Sequence, residues 1–155
     1  MKLPILGNWK ETLSRWAVEL RNSSQGEGRV LKTPVGYSIS TTSTSPVTIP
    51  DSELSFSPPT GEQWIGIYTT VMNLQNGTAN QINAVSVAYN GSLITGAETF
   101  VETFHAGTGG REHQVTVTRQ EILQGGANTF STSWWCNGGT LYSARRISYL
   151  TVFKI

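Results

Sequence analysis

The sequence is poor in charged residues, and the two signs are nearly balanced. Charged side chains make up 14% of the 155 residues, against roughly 25% in an average globular protein. Lys and Arg together number 11 and Asp and Glu 10, which leaves a formal charge of +1. The chain therefore has no net field that would attract a polyanion or an anionic membrane. We expect neither nucleic acid nor a membrane as a partner.

Aspartate, cysteine and histidine are also scarce. Asp51 is the one aspartate and Cys136 the one cysteine, beside two histidines. A single cysteine excludes an intrachain disulfide and a zinc site built on cysteines, and no run matches an EF-hand or a Walker-type nucleotide loop. The sequence also has no signal-peptide pattern and no apolar run of membrane-spanning length. These absences predict a protein without a cofactor that is made and used without export through a secretory pathway.

Residues 8–22 have the clearest helical pattern. Asn8 and Glu11 form a capping-box arrangement at the start of this segment. Large apolar side chains then recur every three or four residues, which places them on one side of a helix. We expect a flexible joint after the helix, so that residues 1–28 form an attachment segment and residues 29–155 a head domain. The residues predicted to contact a partner are Leu6, Trp9, Leu13, Trp16 and Leu20.

From residue 35 onward the sequence follows the period of two that is typical of β-strands. About ten short runs of this kind are separated by turn residues, and Asn90-Gly91 has the chemistry of a two-residue hairpin turn. No helical pattern recurs between the runs, so the sheets are expected to be antiparallel. The predicted fold class is all-β, an antiparallel jelly-roll sandwich with one short N-terminal helix.

The last strand carries large apolar side chains on both faces. Tyr149 and Phe153 share one face, and Leu150 and Val152 share the other, so neither face is suited to water. We assign the face with the larger side chains to the core. In the strand at residues 129–136 one tryptophan likewise points away from its apolar neighbours. The residues predicted to form a trimer interface on the outer side are Trp135, Leu150 and Val152.

The C-terminal half shows a recognisable succession of turns and strands. The Asn90-Gly91 hairpin is followed by runs at 114–118, 122–130, 134–141 and 148–155. This succession resembles the trimeric jelly-roll domain of bacteriophage virion proteins, which is similar in shape to tumour necrosis factor and to the globular heads of complement. The resemblance implies a homotrimer whose jelly rolls form a knob, with the N-terminal segments in contact with the virion.

Two sets of polar residues were weighed as chemical sites. His105 and His113, with Glu102 and Glu112, could hold a metal ion, but solvated hairpin ends explain them better. Glu98 and Glu102 would lie about 13 Å apart on a strand, beyond the roughly 5–10 Å of paired glycosidase carboxylates. The single aspartate lies in a turn, and the sequence has no nucleophile elbow of the hydrolase type. We expect neither a metal site nor an enzyme.

The aromatic residues leave a second function open. Exposed rings could stack on sugars, although core and interface positions are the favoured interpretation. The candidates are Trp64, Trp134, Trp135, Tyr142 and Tyr149.

The leading hypothesis is a homotrimeric capsid decoration, or cement, protein of a phage. It would be made in the host cytoplasm and lie on the outer capsid surface. There it would stabilise the shell by binding across neighbouring subunits of the major capsid protein. The alternative is a short head or tail fibre tip that binds host-surface carbohydrate.

Overall fold

The described part of the chain is built of β-strands. The computed structural model describes residues 28–93, 99–103 and 113–155, which contain eleven strands. None of these residues belongs to a helix that could cross a membrane. The strands are β1 (Arg29–Lys32), β2 (Gly36–Thr41), β3 (Val47–Thr48), β4 (Leu54–Phe56), β5 (Trp64–Asn76), β6 (Gln81–Tyr89), β7 (Ser92–Leu93), β8 (Thr99–Thr103), β9 (His113–Leu123), β10 (Asn128–Cys136) and β11 (Leu141–Lys154).

The strands form two antiparallel sheets. In the first sheet the order is β1-β11-β5-β9. β2 also pairs with β11, along residues 141–146, whereas β1 pairs with residues 149–152. In the second sheet the order is β3-β10-β6-β7, with β4 also on β10 and β8 also on β6. The all-β jelly-roll sandwich expected from the sequence is therefore confirmed. The expected helix at residues 8–22 lies outside the described residues.

The core lies between the sheets and follows the alternation of the strands. Along β5 every second residue is buried, and Trp64, Tyr68 and Met72 point inward. From the second sheet, Phe130 and Trp134 of β10 enter the same cluster. The Tyr68 and Phe130 rings stack with their centroids 5.6 Å apart. The prediction that Phe130 and Trp134 of β10 face the core is thus confirmed.

A chain of buried hydroxyl groups joins the two sheets through this core. The Thr132 Oγ1 of β10 is 2.5 Å from the Thr70 Oγ1 of β5, which is 2.7 Å from the Ser148 Oγ of β11. The Tyr68 hydroxyl contacts Thr132 Oγ1 at 2.9 Å and donates to the Ser52 carbonyl at 2.6 Å. All five residues are at most 2% exposed. Because every hydroxyl has a partner, this hydroxyl network avoids the cost of burying an unpaired polar group.

The Asn90-Gly91 turn has the geometry that its residues predict. Asn90 and Gly91 both have positive φ, at 49° and 77°, and β6 and β7 pair directly on either side of them. This is the geometry of the turn that Asn-Gly favours in a two-residue hairpin. Asn128 supports a second turn, since its side-chain amide donates to the carbonyls of Gln124 and Gly126 at 3.0 Å.

One strand of the sandwich was not foreseen. The sequence analysis placed the start of the strand pattern at residue 35, but Arg29–Lys32 already pairs with β11. In this short run Leu31 packs against the core and Val30 is 65% exposed. A run of four residues between Gly28 and Thr33 is too short for its alternation to stand out.

We predict that Thr132→Val destabilises the fold by about 1–3 kcal/mol, because it removes the hydroxyl that links the sheets while nearly preserving side-chain volume. The measurement is the free energy of unfolding in urea. Thr118→Val is the matched control, since Thr118 makes its hydroxyl contact with Thr69 on the exposed face. The control should change stability by no more than about 0.5 kcal/mol. Equal effects of the two substitutions would contradict a special role of the network.

Candidate interaction surface

The outer face of the first sheet is unusually apolar at one end. Phe153, Ile65 and Ile122 lie side by side across β11, β5 and β9. In the next row Val30 and Ile67 flank Thr151. Val30 is 65% exposed, Ile122 56% and Phe153 39%, and both β5 isoleucines are half-buried. We call Val30, Ile65, Ile67, Ile122 and Phe153 the apolar patch.

Five large apolar side chains in adjacent rows are more than the scattered exposure that is normal on a protein surface. Directly paired side chains on neighbouring strands have Cβ atoms roughly 5 Å apart, so Phe153, Ile65 and Ile122 touch or nearly touch. In the second row Thr151 lies between Val30 and Ile67. A contiguous exposed patch of this kind marks an interaction surface in a protein that stays in solution.

Charged residues border the patch at the end of β11. Lys154 Nζ contacts Glu62 Oε1 at 2.6 Å, and the Trp64 indole donates to Glu62 Oε2 at 3.0 Å. The Lys154 ammonium, followed by the Trp64 indole, holds the pKa of the Glu62 carboxyl below its ordinary value. The carboxylate therefore stays ionised and paired at neutral pH. An apolar centre with a polar rim is the usual anatomy of a protein interface.

The predicted interface residues of the last strand are in the wrong place for that role. Leu150 and Val152 are both fully buried in the core between the sheets, so the assignment of the faces of this strand was reversed. The inward face looks polar in the sequence because it also carries Arg146 and Ser148, and the core satisfies Ser148 through the hydroxyl network. The outward face carries the more apolar Phe153.

Trp135 lies on a different surface from the apolar patch. It is half-buried on the outer face of the second sheet and pairs with Ala84 of β6. The side chains that share this face on β10, Ser131 and Ser133, are small and buried. Trp135 and the apolar patch lie on the outer faces of different sheets, so one flat partner surface cannot cover both. The contact of Trp135 with a partner stays a prediction.

Several predicted site residues cannot be placed. Leu6, Trp9, Leu13, Trp16 and Leu20 lie outside the described residues, as does His105. His113 is half-buried at the start of β9. Within the described ranges no three His, Cys, Asp or Glu side chains are grouped so that they could hold a metal ion.

The aromatic candidates for sugar stacking separate into two groups. Trp64 and Trp134 are at most 2% exposed and belong to the core, so neither ring can stack on a ligand. Tyr142 is 40% exposed, and Tyr149 and Trp135 are half-buried. Only these three remain available among the aromatic candidates named from the sequence.

The sequence analysis missed Val30, Ile65, Ile67 and Ile122. A signal was present in β5, where both faces are apolar over residues 64–68. Two-sided apolar strands indicate that both faces are covered, and β5 shares this property with β10 and β11. Ile122 lies next to a turn, where alternation gives little guidance.

Comparisons with known proteins identify no family. No protein-family model and no curated protein matches the sequence. Solved structures with a similar arrangement include the VP2 subviral particle of infectious bursal disease virus, at 13% identity and a TM-score of 0.49 over 81% of this chain. Dimeric latent PorU from Porphyromonas gingivalis is 12% identical, with a TM-score of 0.48 over 82%. A family 35 carbohydrate-binding module from Clostridium thermocellum is 13% identical, with a TM-score of 0.30 over 83%.

The chain spans only part of the larger of these proteins. It covers 32% of VP2 and 13% of PorU, but 99% of the carbohydrate-binding module.

We predict that Leu150→Asp unfolds the chain instead of releasing intact subunits. An unpaired carboxylate in the core should cost at least about 3 kcal/mol. Thr151→Asp is the matched control, because the adjacent side chain points outward and should leave the fold intact. Circular dichroism melting curves of the two variants give the comparison. A folded Leu150→Asp protein with a normal melting temperature would overturn the placement of this face.

Proposed function

We propose that this chain is a non-enzymatic structural protein of a virion. In this proposal it forms a homotrimeric knob that decorates the outer surface of a phage capsid and cements neighbouring subunits of the major capsid protein. The observation that supports it best is the apolar patch on the outer face of the first sheet. Its work would be contact between proteins, with no chemical step.

Self-association would be favoured because it removes the apolar patch from water. Covering one large apolar side chain contributes roughly 1.5–3 kcal/mol, and the patch supplies Phe153 and four aliphatic side chains. Association costs entropy that offsets part of this gain. A copy of the same chain is always present at the concentration of the protein itself, and closed symmetry lets every copy cover its patch. The three-fold arrangement follows from the resemblance to trimeric phage jelly rolls.

Attachment to the shell is assigned to the N-terminal segment. Its predicted helix carries Trp9, Leu13 and Trp16 on one side, and such a stripe requires an apolar partner. Three copies of a weak contact, held together by the trimeric head, would bind a shell far more tightly than one copy. The described chain starts beside Phe153, since Gly28 faces the ring of that residue. The attachment segments therefore leave the head next to the apolar patch.

Ile122→Lys should reduce self-association while leaving the head folded. Ile122 is 56% exposed on an edge strand, so a lysine there is solvated in the free chain but is buried when copies associate. We expect the wild-type protein to sediment as three chains and the variant to shift toward single chains. Sedimentation equilibrium over a range of protein concentrations provides the masses.

Ile82→Lys is the control for this experiment. Ile82 is 46% exposed, but it lies on the second sheet, so this lysine should leave the mass unchanged. A wild-type protein that is monomeric at all concentrations would reject the trimer. If both lysine variants still sediment as trimers, the interface lies elsewhere.

Deletion of residues 1–25 should abolish binding to the capsid without dissociating the head. The physical reason is that the apolar stripe is lost while the apolar patch is retained. Co-sedimentation with capsids of the virus that encodes the chain measures binding, and light scattering measures the mass of the truncated protein. Retained binding would place the attachment site in the head.

A further inference from the structure

The outer face of the second sheet carries small side chains that are almost completely buried. Thr132 and Trp134 of β10 point into the core, so the residues that alternate with them point outward. Their partners on β6 share this outer face. We call five of these residues the small-residue face, which consists of Ala84, Ser86, Ala88, Ser131 and Ser133. Each of them is at most 8% exposed.

No strand within residues 28–93 and 113–155 lies over this face. These strands form two sheets, and the first sheet packs against the inner side of the second. Trp135 is the large outward side chain of β10, but it lies four residues from Ser131, about 13 Å along the strand. Leu93 pairs with Ala88 in the plane of the sheet and leaves its outer side open. Ala88 and Ser131 are nevertheless 5% and 8% exposed, so a further layer must cover them.

Ser86 gives a second and independent sign of a covering element. Its hydroxyl is fully buried in the middle of the face, and among the described residues it has no hydrogen-bond partner. A buried hydroxyl without a partner is costly. An element that brings a hydrogen-bond donor to this position would remove that cost.

The chain offers one segment with enough large apolar side chains to form this layer. Residues 94–98 and 104–112 contain one such side chain each, Ile94 and Phe104. Residues 1–27 contain the predicted helix, whose apolar stripe consists of Trp9, Leu13, Trp16 and Leu20. Small side chains on a sheet let a helix approach closely, and its large side chains then fill the space above them. A tryptophan also supplies an indole N–H, which acts only as a donor.

The start of the described chain lies within reach of this face. Gly28 precedes β1, and β1 lies at an edge of the first sheet. Residues 23–27 join Gly28 to the predicted helix, and five residues span at most about 17 Å. Packed sheets are roughly 10 Å apart. The linker is therefore long enough to pass the edge of the sandwich and bring the helix to the second sheet of its own chain.

We propose that the predicted helix of residues 8–22 packs on the small-residue face of its own chain. Its apolar stripe lies against the sheet, and an indole N–H of the stripe donates to the Ser86 hydroxyl. The stripe is then removed from water in the free protein. This docking does not depend on the proposed attachment to a shell, which would exchange one apolar partner of the stripe for another.

Hydrogen exchange of the full chain, measured by mass spectrometry, tests the docking. A free helix of fifteen residues is marginal in water, so docking should slow exchange in residues 8–22 by about tenfold or more relative to an unstructured chain. Leu13→Glu should remove this protection, because it places a charge between the helix and the sheet. Ser14→Glu is the matched control, since it adds the same charge off the stripe and should keep the protection. Unprotected amides in the wild type, or protection that survives Leu13→Glu, would overturn the proposal.

A second pair of variants locates the docking site on the head. Ser133→Arg places a long charged side chain on the small-residue face, where it can extend into water once the helix has left. Residues 8–22 should then lose protection while circular dichroism shows a folded head. Thr116→Arg is the control, since Thr116 is exposed on the outer face of the first sheet, and it should change neither measurement. Protection retained in a folded Ser133→Arg protein would contradict docking on this face.

Ile122→Lys separates docking within one chain from docking between copies. This variant is expected to reduce self-association, and residues 8–22 should remain protected in it even in dilute solution. Protection that disappears together with the assembly would show that another copy supplies the partner, and would overturn the assignment to the same chain. A monomeric wild-type protein with a protected helix would reject the trimer of the proposed function but support the docking.

Discussion

The hydroxyl network between the sheets is the constraint on which the rest of the structure depends. Thr132 in the second sheet contacts Thr70 and Tyr68 in the first, and Thr70 in turn contacts Ser148. Each of these groups would be costly to bury alone. Because they are satisfied by one another and by the Ser52 carbonyl, they fix how β10 lies against β5 and β11. Apolar packing by itself tolerates sliding far better than such a network does.

This constraint decides which face of β11 points outward. Once Ser148 is inside, alternation also places Leu150 and Val152 inside and Phe153 outside. The outward position of Phe153 is therefore a consequence of the polar residues in the core. The outward side chains of β11 lie outside the core, so polar residues could replace them without any loss to it. The retention of Phe153 and its neighbours on an outer face is what favours a covering partner.

The first sheet offers two surfaces of different chemistry. At one end, regular pairing places apolar side chains in rows. At the other end the register shifts between Ser143 and Arg146, and a cavity lies there that Arg145, Tyr149 and Asn73 help to line. Regular strands suit a flat contact between proteins, whereas an irregularity provides the concave shape that a small ligand needs.

The sequence by itself determined the local features of this protein. The period of two, the Asn90-Gly91 hairpin and the core face of β10 with Phe130 and Trp134 depend on neighbours in the chain, and all appear in the structure. The inward face of β11 and the position of Arg146 on it depended on distant partners. Thr70 and Thr132 are 62 residues apart, and the carbonyl of Pro50 that receives Arg146 is 96 residues away from it. No alternation pattern contains such pairings, so only the tertiary structure decided them.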